Sequence, residues 1–432
     1  MKIGSGTLEE LPAVAGSLMP ERRGRPVALL TDRVVKRRAG SDLLPLVEEL
    51  LGGPARVRVI AVEGADGGRV HADAPMIERV TAEAKGSAGL VTVGSGTLAD
   101  IGKAASDALS GLPHVVVQTA TSVNGFTDDQ SVLLVKGVKR TTHTRWPDAL
   151  VADAEVLLGA PLALNLAGVG DLAAMFTAPA DWELAHALGM ADSFSATVVD
   201  MVRVHGADVL AAAGSLARGD PAAATTLAEV LALSGISMGV AGTTAPASGM
   251  EHTVSHLIEM SMNRRGREAA YHGATVGVTS IIAARLWSKV RARLEAGSRP
   301  SLSFPSPDVM EARVRDAFAT LDPSGEMGEE CWRLYAEKLE RWTANRERLE
   351  SAGWRSIAAQ AARHLIEPSE LAEALGSAGA PVQLSQLDPA VDADLGRWAL
   401  SNCHLIRDRF TVADLAFFMG MWDAGAVDEV MS

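Results

Sequence analysis

Cysteine, aromatic residues and dense positive charge are all scarce in this chain. Only two cysteines, Cys331 and Cys403, occur in 432 residues, and aromatic residues make up 4% of the sequence. Two cysteines so far apart match no metal-binding or redox spacing, which argues against a disulfide framework and suits a reducing cytoplasm. We therefore expect both cysteines to be buried structural thiols.

The charge balance is acidic, and no segment is rich in lysine and arginine. The formal net charge is −13, a pattern that argues against nucleic acid or an anionic membrane as a partner. The sequence shows no signal-peptide pattern at Met1 and no unbroken apolar run of about 18 residues. These features predict a cytoplasmic protein that does not span a membrane.

Length and periodicity indicate two domains. A chain of 432 residues with 47% hydrophobic and 22% charged residues exceeds one ordinary core. Up to residue 160, β-branched segments alternate with helical ones, which predicts a parallel sheet with helical crossovers of the nucleotide-binding type. From Pro161 onward, Ala- and Leu-rich helical periodicity predicts an all-α domain over residues 161–432. The predicted strands cover residues 26–31, 56–62, 89–93, 114–118 and 148–153, with a hairpin around Gly137.

A glycine-rich turn follows the third predicted strand and opens a helix. It contains Gly94, Ser95, Gly96, Thr97 and Leu98. Small residues allow the backbone to approach a pyrophosphate, and the helix N-terminus offers N–H donors. The segment lacks the GxGxxG fingerprint, so an ordinary strand-to-helix turn remains the alternative. Its position between strand and helix favours a dinucleotide site.

Asp32 ends the first predicted strand. A carboxylate at this place can accept a hydrogen bond from the ribose 2′-hydroxyl of adenosine and would repel a 2′-phosphate. This predicts a preference for NAD over NADP. A turn aspartate that closes a strand is the alternative.

Three histidines lie close together in the second half of the chain. His252 and His256 stand four apart, so they share one face of a helix, and His272 follows a basic loop. Imidazoles at this spacing can converge on one divalent cation. Two histidines at this spacing also occur without a metal, packed or solvated, so the metal hypothesis depends on further ligands elsewhere.

Several motifs occur in a fixed order along the chain, at residues 94–103, 119–125, 168–171 with 181–182, 247–256 and 272–273. Together they resemble the sn-glycerol-1-phosphate dehydrogenases, within the superfamily of iron-containing alcohol dehydrogenases, glycerol dehydrogenases and dehydroquinate synthases. The likeness covers nearly the whole chain, and residues 407–415 also look like the C-terminal helix of the bacterial members.

The resemblance implies a dehydroquinate synthase-like fold, in which an α/β domain (residues 1–160) binds NAD(P) and an all-helical domain (residues 161–432) carries one divalent metal. The implied metal ligands are Asp171, His252 and His272. Such ligands favour zinc, with nickel or iron as alternatives. The implied catalytic set is His256, Asn124 and Asp171, with His256 contacting substrate. The implied cofactor contacts are Asp32, Gly94, Ser95, Gly96, Thr97, Leu98, Thr119, Ala120, Thr121, Ser122 and Asp128.

The implied reaction is hydride transfer between nicotinamide and a small polyol, a polyol phosphate or the matching ketone, in a homodimer or larger homo-oligomer. A metal that lowers the pKa of the substrate hydroxyl suits this chemistry. The alternative is a dehydroquinate synthase-like cyclase or lyase that uses NAD transiently, although that branch has a glutamate where this chain has Asp171. A catalytically silent relative is disfavoured because all three implied ligands are present.

Three places depart from the family pattern. Asn124 replaces an aspartate in a substrate loop, Asp128 replaces a serine at a cofactor contact, and Thr244-Ala245 replaces a Ser-Arg pair. The loss of a carboxylate and an arginine near the substrate predicts that glycerol 1-phosphate is a poor substrate. We expect a bulkier or less hydroxylated alcohol or ketone to be preferred. The remaining candidate phosphate contacts, on what is otherwise a solvated hairpin face, are Lys139, Arg140, His143 and Arg145.

Overall fold

The structure is a computed structural model that describes residues 1–20, 24–64, 68–135, 138–296 and 300–432. Its central strands, at residues 90–94 and 114–118, coincide with runs of β-branched residues. Every residue of the segment 114–118 is buried, as expected for a parallel strand covered on both faces. The strands are β1 (Lys2–Gly4), β2 (Val27–Asp32), β3 (Arg37–Arg38), β4 (Ser41–Asp42), β5 (Val57–Val62), β6 (Leu90–Gly94), β7 (His114–Gln118), β8 (Gln130–Val135), β9 (Val138–His143) and β10 (Ala149–Asp153).

The helices begin between the strands and continue to the end of the chain. Within the described residues, no strand follows Asp153. The helices are α1 (Leu11–Leu18), α2 (Leu43–Leu50), α3 (Ala74–Ala84), α4 (Gly96–Ala108), α5 (Ala154–Leu158), α6 (Leu162–Leu172), α7 (Ala178–Ala187), α8 (Ala196–Arg203), α9 (Gly206–Leu216), α10 (Pro221–Ala241), α11 (Met250–Arg264), α12 (His272–Glu295), α13 (Pro307–Ala319), α14 (Glu326–Ala344), α15 (Arg346–Glu350), α16 (Trp354–Ala362), α17 (Pro368–Ser377), α18 (Ala393–Asn402), α19 (Val412–Phe418) and α20 (Ala424–Met431).

Six strands form one parallel sheet in the order β1-β10-β7-β6-β2-β5. β6 lies between β2 and β7, with Leu29 opposite Val91 and Val91 opposite Val115. The predicted fold class, a parallel α/β sheet followed by helices, is confirmed. The sequence did not reveal β1, because three residues are too few to show alternation. β8 and β9 pair as the predicted hairpin, whose turn at residues 136–137 lies outside the described residues.

Two compact units divide the chain. The first contains residues 1–135, 139–172 and 205–240, and the second contains residues 136–138, 173–204 and 241–432. Helical residues up to 172 thus belong with the sheet, because α6 packs closely on the loop after β7. A Cβ atom at Gly168 would lie 1.9 Å from the carbonyl oxygen of Thr121, so only glycine fits there. The domain boundary after residue 160 remains a prediction.

The scarce aromatic residues are concentrated in the core of the second unit. Trp342, Phe410 and Phe418 stack there, with 4.3 Å between the ring centroids of Trp342 and Phe418. Both cysteines are buried thiols, as predicted. Aromatic rings bury a large apolar area per residue, so this cluster is a main source of stability in the helical unit.

Two helical stretches, residues 162–187 and 221–241, are long and apolar enough to cross a membrane by length and composition. Their apolar windows are 83% and 61% buried inside the structure. Such burial is typical of core helices in a soluble protein.

Candidate active site

The glycine-rich turn lies where the sequence predicted, between β6 and α4. Ser95 is the N-cap residue of α4, and its side chain makes no capping hydrogen bond. A Cβ atom at Gly96 would lie 2.5 Å from Val123, so the turn has no space for a larger residue. The turn therefore presents the first N–H groups of a 13-residue helix at the carboxyl end of a central strand. In parallel sheets this edge is where nucleotide phosphates bind.

Asp32 occupies the end of β2, next to β6. Its carboxylate accepts a hydrogen bond from the backbone N–H of Val34 at 2.9 Å and forms an ion pair with Lys36. This N–H contact is typical of an aspartate that closes a turn after a strand, which is the alternative interpretation of Asp32. The ribose contact remains a prediction.

The loop after β7 is hydrogen-bonded to both the glycine-rich turn and α6. The backbone N–H of Thr119 donates to the carbonyl of Gly94 at 3.2 Å. The side-chain oxygen of Asn165, on α6, accepts from the backbone N–H of Thr121 at 2.9 Å and from its hydroxyl at 3.0 Å. The buried hydroxyl of Ser122 has no hydrogen-bond partner among the described residues. A buried hydroxyl without a protein partner is available to form a hydrogen bond with a ligand.

Asp128, a predicted cofactor contact, lies in a buried ion pair. Its carboxylate contacts the ammonium of Lys103, which also donates to the carbonyl of Gly125 at 2.8 Å. Burial lowers the pKa of Lys103, but the nearby carboxylates of Asp128 and Asp100 outweigh it and raise the pKa overall. Burial raises the pKa of Asp100 to about 6. Lys103 thus holds the loop after β7 against α4, and the cofactor contact of Asp128 remains a prediction.

Asn124 and Asp171, two members of the predicted catalytic set, are in contact. The backbone N–H of Asn124 donates to the carboxylate of Asp171 at 2.9 Å. The side-chain amide of Asn124 donates to the hydroxyl of Ser234 at 3.1 Å. Both residues are buried. Asp171 therefore positions the loop that the sequence associates with the substrate.

The three predicted histidines form one cluster in the second unit, in which His252 and His256 are buried and His272 is half-buried. His252 and His256 lie on α11, and His272 is the first residue of α12. The ring centroids of His252 and His272 are 5.2 Å apart, and those of His256 and His272 are 5.3 Å apart. The expected shared face of His252 and His256 is confirmed.

Each of these imidazoles has a charged partner at its Nδ1 atom. The carboxylate of Glu251 lies 3.1 Å from Nδ1 of His252, and that of Glu259 lies 2.6 Å from Nδ1 of His272. The guanidinium of Arg407 lies 2.7 Å from Nδ1 of His256. The sequence reasoning missed all three partners. One signal was available for Glu259, which lies seven residues after His252 and three after His256, on the same helix face.

Asp181 fixes the start of α11. Its buried carboxylate accepts hydrogen bonds from the backbone N–H of Met250 at 2.8 Å and from the indole of Trp287 at 3.0 Å. Burial, reinforced by the nearby carboxylate of Glu251, raises the pKa of Asp181 well above its usual range. A Cβ atom at Gly249 would lie 2.6 Å from the Asp181 carboxylate, so the turn before α11 requires glycine. This packing explains why the 181–182 motif accompanies the histidines.

Arg409 lies at the turn where the chain departs from the family pattern. Its guanidinium donates to the hydroxyl of Thr244 at 2.6 Å and to the carbonyl of Ser248. Arg145, a candidate phosphate contact, is instead bonded to Asp148 at 2.9 Å and to the carbonyl of Leu112 at 3.0 Å. The side chain of His143 is 68% exposed, as a solvated hairpin face requires.

Comparison with known proteins identifies a consistent set of relatives. A family model described as iron-containing alcohol dehydrogenase matches residues 2–161. A glycerol-1-phosphate dehydrogenase [NAD(P)+] of Geobacillus stearothermophilus is 30% identical over 371 residues, which cover 85% of this chain and 81% of that protein. One of Pyrococcus horikoshii is 29% identical over 308 residues, or 70% and 83% of the two chains. The crystal structure of a probable glycerol dehydrogenase from Sinorhizobium meliloti shares the fold, with a TM-score of 0.59 at 17% identity over 99% of this chain and 94% of that one.

Proposed function

Because this chain belongs to the superfamily of iron-containing alcohol dehydrogenases and is an NAD(P)-dependent dehydrogenase, we propose that it transfers a hydride between nicotinamide and a small polyol, a polyol phosphate or the matching ketone. The observation that carries the proposal is the cluster of three imidazoles, those of buried His252 and His256 and of half-buried His272, two of which face buried carboxylates. Relatives named glycerol-1-phosphate dehydrogenases support the substrate class. The cyclase or lyase alternative is not favoured by these relatives.

The cofactor in this proposal is NAD, held at the turn between β6 and α4. Two features support this place: the close packing of Gly96 against Val123 and the buried hydroxyl of Ser122. N–H groups at a helix N-terminus stabilise pyrophosphate charge. We assign the adenosine ribose to Asp32, and cofactor contacts to the other residues named in the sequence analysis for this role, Asp128 included.

The metal in this proposal is a divalent ion held by Asp171, His252 and His272. Two neutral imidazoles and one carboxylate suit zinc best, with nickel or iron as alternatives, and leave coordination positions for a substrate oxygen. When bound, such an ion supplies Lewis-acid chemistry, lowering the pKa of the substrate hydroxyl or polarising the ketone. Two nitrogen donors and one oxygen donor fit zinc, nickel or iron better than they fit calcium or magnesium, which prefer oxygen ligands.

His256 contacts the substrate in this proposal and donates a hydrogen bond to its reacting oxygen. It is 4% exposed and lies one helical turn from His252. Burial of this kind keeps water away from the reacting carbon and fixes the imidazole relative to it. Asn124 presents its amide to the substrate from the loop after β7.

The substrate in this proposal differs from glycerol 1-phosphate. The family aspartate would accept two hydrogen bonds from hydroxyls, whereas an amide offers one acceptor oxygen and N–H donors. One of these N–H groups is already directed at Ser234. A carbonyl, ether or phosphate oxygen fits such a position better than a second hydroxyl does. We also place the enzyme in the cytoplasm as a homodimer or larger homo-oligomer.

A direct test is a screen of alcohols, polyols, their phosphates and the matching ketones, followed at the nicotinamide absorbance band with added Zn²⁺ or Ni²⁺. A dehydrogenase produces net NADH from an alcohol, or consumes it with a ketone. A cyclase or lyase would convert its substrate with no net change in NADH. A protein that binds metal and NAD but turns over none of these compounds contradicts the proposed reaction.

A further inference from the structure

The three clustered histidines differ in the chemistry of the group at Nδ1. Ionised carboxylates only accept hydrogen bonds, and a guanidinium only donates them. The partners of His252 and His272 are the carboxylates of Glu251 and Glu259, at 3.1 Å and 2.6 Å. The partner of His256 is the guanidinium of Arg407, at 2.7 Å.

These partners decide which nitrogen of each ring carries the proton. A neutral imidazole that donates from Nδ1 to a carboxylate has its lone pair on Nε2, which is the form that binds a metal. An imidazole that accepts at Nδ1 from a guanidinium carries its proton on Nε2. That ring is a hydrogen-bond donor at Nε2 and offers no lone pair there.

We infer that Glu251, Glu259 and Arg407 are positioning residues that assign different roles to three neighbouring histidines. Glu251 and Glu259 prepare His252 and His272 as metal ligands through Nε2. Arg407 excludes His256 from the metal and makes its Nε2–H a donor to the substrate oxygen. This inference rests on the metal site of the proposed function.

The two glutamates are themselves held in place. Glu251 has no exposed surface and accepts hydrogen bonds from the backbone N–H of Gly249 and, at 2.9 Å, from the hydroxyl of Thr177. Glu259 is 5% exposed and accepts from the hydroxyl of Ser255 at 3.0 Å. Because these carboxylates are oriented by groups other than the histidines, they fix the ring positions before any ligand binds.

The test measures the affinity of the full chain for Zn²⁺ by competition with a chromophoric chelator. Glu259→Gln keeps an oxygen that can accept from Nδ1 but removes the charge, whereas Glu259→Met removes both. We expect a loss of about 10-fold for Glu259→Gln and about 100-fold for Glu259→Met, the range typical of such partners. Ser255→Ala, which removes a hydroxyl that donates to Glu259 and lies 3.4 Å from Nδ1 of His272, gives a smaller loss in the same direction.

A matched control exists in the same unit. Glu183 contacts Nε2 of His364 at 2.8 Å, which is also a carboxylate–histidine pair but has no part in the proposed metal site. Glu183→Gln should leave Zn²⁺ affinity unchanged. An equal loss in this control, or wild-type affinity in a folded Glu259→Met protein, would overturn the inference.

Arg407 is tested by the absorption spectrum of the Co²⁺-loaded protein. Arg407→Met frees His256 to adopt the other tautomer and to enter the coordination sphere, so we expect a changed Co²⁺ spectrum. Arg407→Lys, which still only donates, should restore the wild-type spectrum. An unchanged spectrum in Arg407→Met would contradict the assignment. If the wild-type protein binds neither ion, the proposed metal site fails as well, whereas tight wild-type binding with no effect of the variants refutes only this inference.

Discussion

The carboxylate of Asp171 accepts a hydrogen bond from the backbone N–H of Asn124 at 2.9 Å. This contact does not depend on the side chain at position 124. The departure from the family aspartate therefore changes the group offered to the substrate and leaves the contact with the proposed metal ligand intact.

Asn124→Asp should move substrate preference toward glycerol 1-phosphate without loss of metal. A carboxylate accepts from two hydroxyls, and a site that pairs a substrate group rejects mismatched analogues strongly. We expect kcat/KM for glycerol 1-phosphate to rise by at least about 10-fold, or about 1.4 kcal/mol of transition-state stabilisation. Asn402→Asp, at an amide that donates to the carbonyl of Trp398 in its own helix, is the control. Efficient wild-type turnover of this substrate, unimproved in the variant, would restore the family's default substrate.

Replacing the proposed metal ligands and His256 one at a time should separate metal binding from substrate contact. Asp171→Ala, His252→Ala and His272→Ala should lose bound metal and activity, because a site with two remaining ligands holds the ion poorly. His256→Ala should keep the metal and lose turnover by about 10²–10⁴-fold. Metal analysis and steady-state kinetics check both points, with exposed His143→Ala as the control. A metal-free His256 variant beside a metal-replete His252 variant would reverse the assigned roles.

Asp32→Gly should relax the preference for NAD. The carboxylate would repel a 2′-phosphate, and its removal also releases Lys36 from its ion pair with Asp32, which places a cation near that phosphate. We expect the ratio of kcat/KM for NAD over NADP to fall by about 10-fold or more, or about 1.4 kcal/mol. Lys36→Met in the Asp32→Gly background should reverse part of the gain for NADP. A wild-type preference for NADPH would show that Asp32 is not at the ribose.

Acid should destabilise the first unit through His114. Burial, together with the charges of Lys103 and Arg145, lowers the pKa of His114 from 6.5 to about 3. A depressed pKa means that the neutral ring contributes stability above pH 6.5 and that this contribution is lost as the pH falls toward 3. The loss is about 1.4 kcal/mol per pH unit within that window. Denaturant unfolding at pH 7, 5 and 4 should show a weaker pH dependence for His114→Gln, whereas exposed His143→Gln should behave as wild type.

The buried pair of Lys338 and Asp414 should tolerate joint replacement better than removal of one partner. The ammonium lies 2.6 Å from the carboxylate and donates to the carbonyl of His404 at 2.6 Å, and both side chains are 1% exposed. Lys338→Met leaves the carboxylate uncompensated and should cost about 3–5 kcal/mol of unfolding free energy. Adding Asp414→Asn should recover part of that loss in a double-mutant cycle. Equal costs for the single and double variants would mean that packing, not charge, dominates.

The sequence was sufficient to predict most of the sheet and the proximity of the three histidines. The strands β6 and β7 carry β-branched runs, β2, β5 and β10 are short apolar or alternating segments, and a four-residue spacing on a helix makes His252 and His256 neighbours. Both signals arise from residues close together in the sequence, so they can be recognised without knowledge of the fold. β1 carries too few residues to produce such a signal.

Only the tertiary structure brought together groups that are far apart in sequence. Arg407 reaches His256 across 151 positions, and Asn165 holds Thr121 across 44. The sequence placed Asp128 at the cofactor by analogy with relatives, whereas the structure pairs it with Lys103, 25 residues earlier. The helical residues 205–240 belong to the same compact unit as the sheet, although they are far from it in sequence. A buried charge needs a partner close to it in space. The local sequence pattern does not show which distant residue supplies that partner.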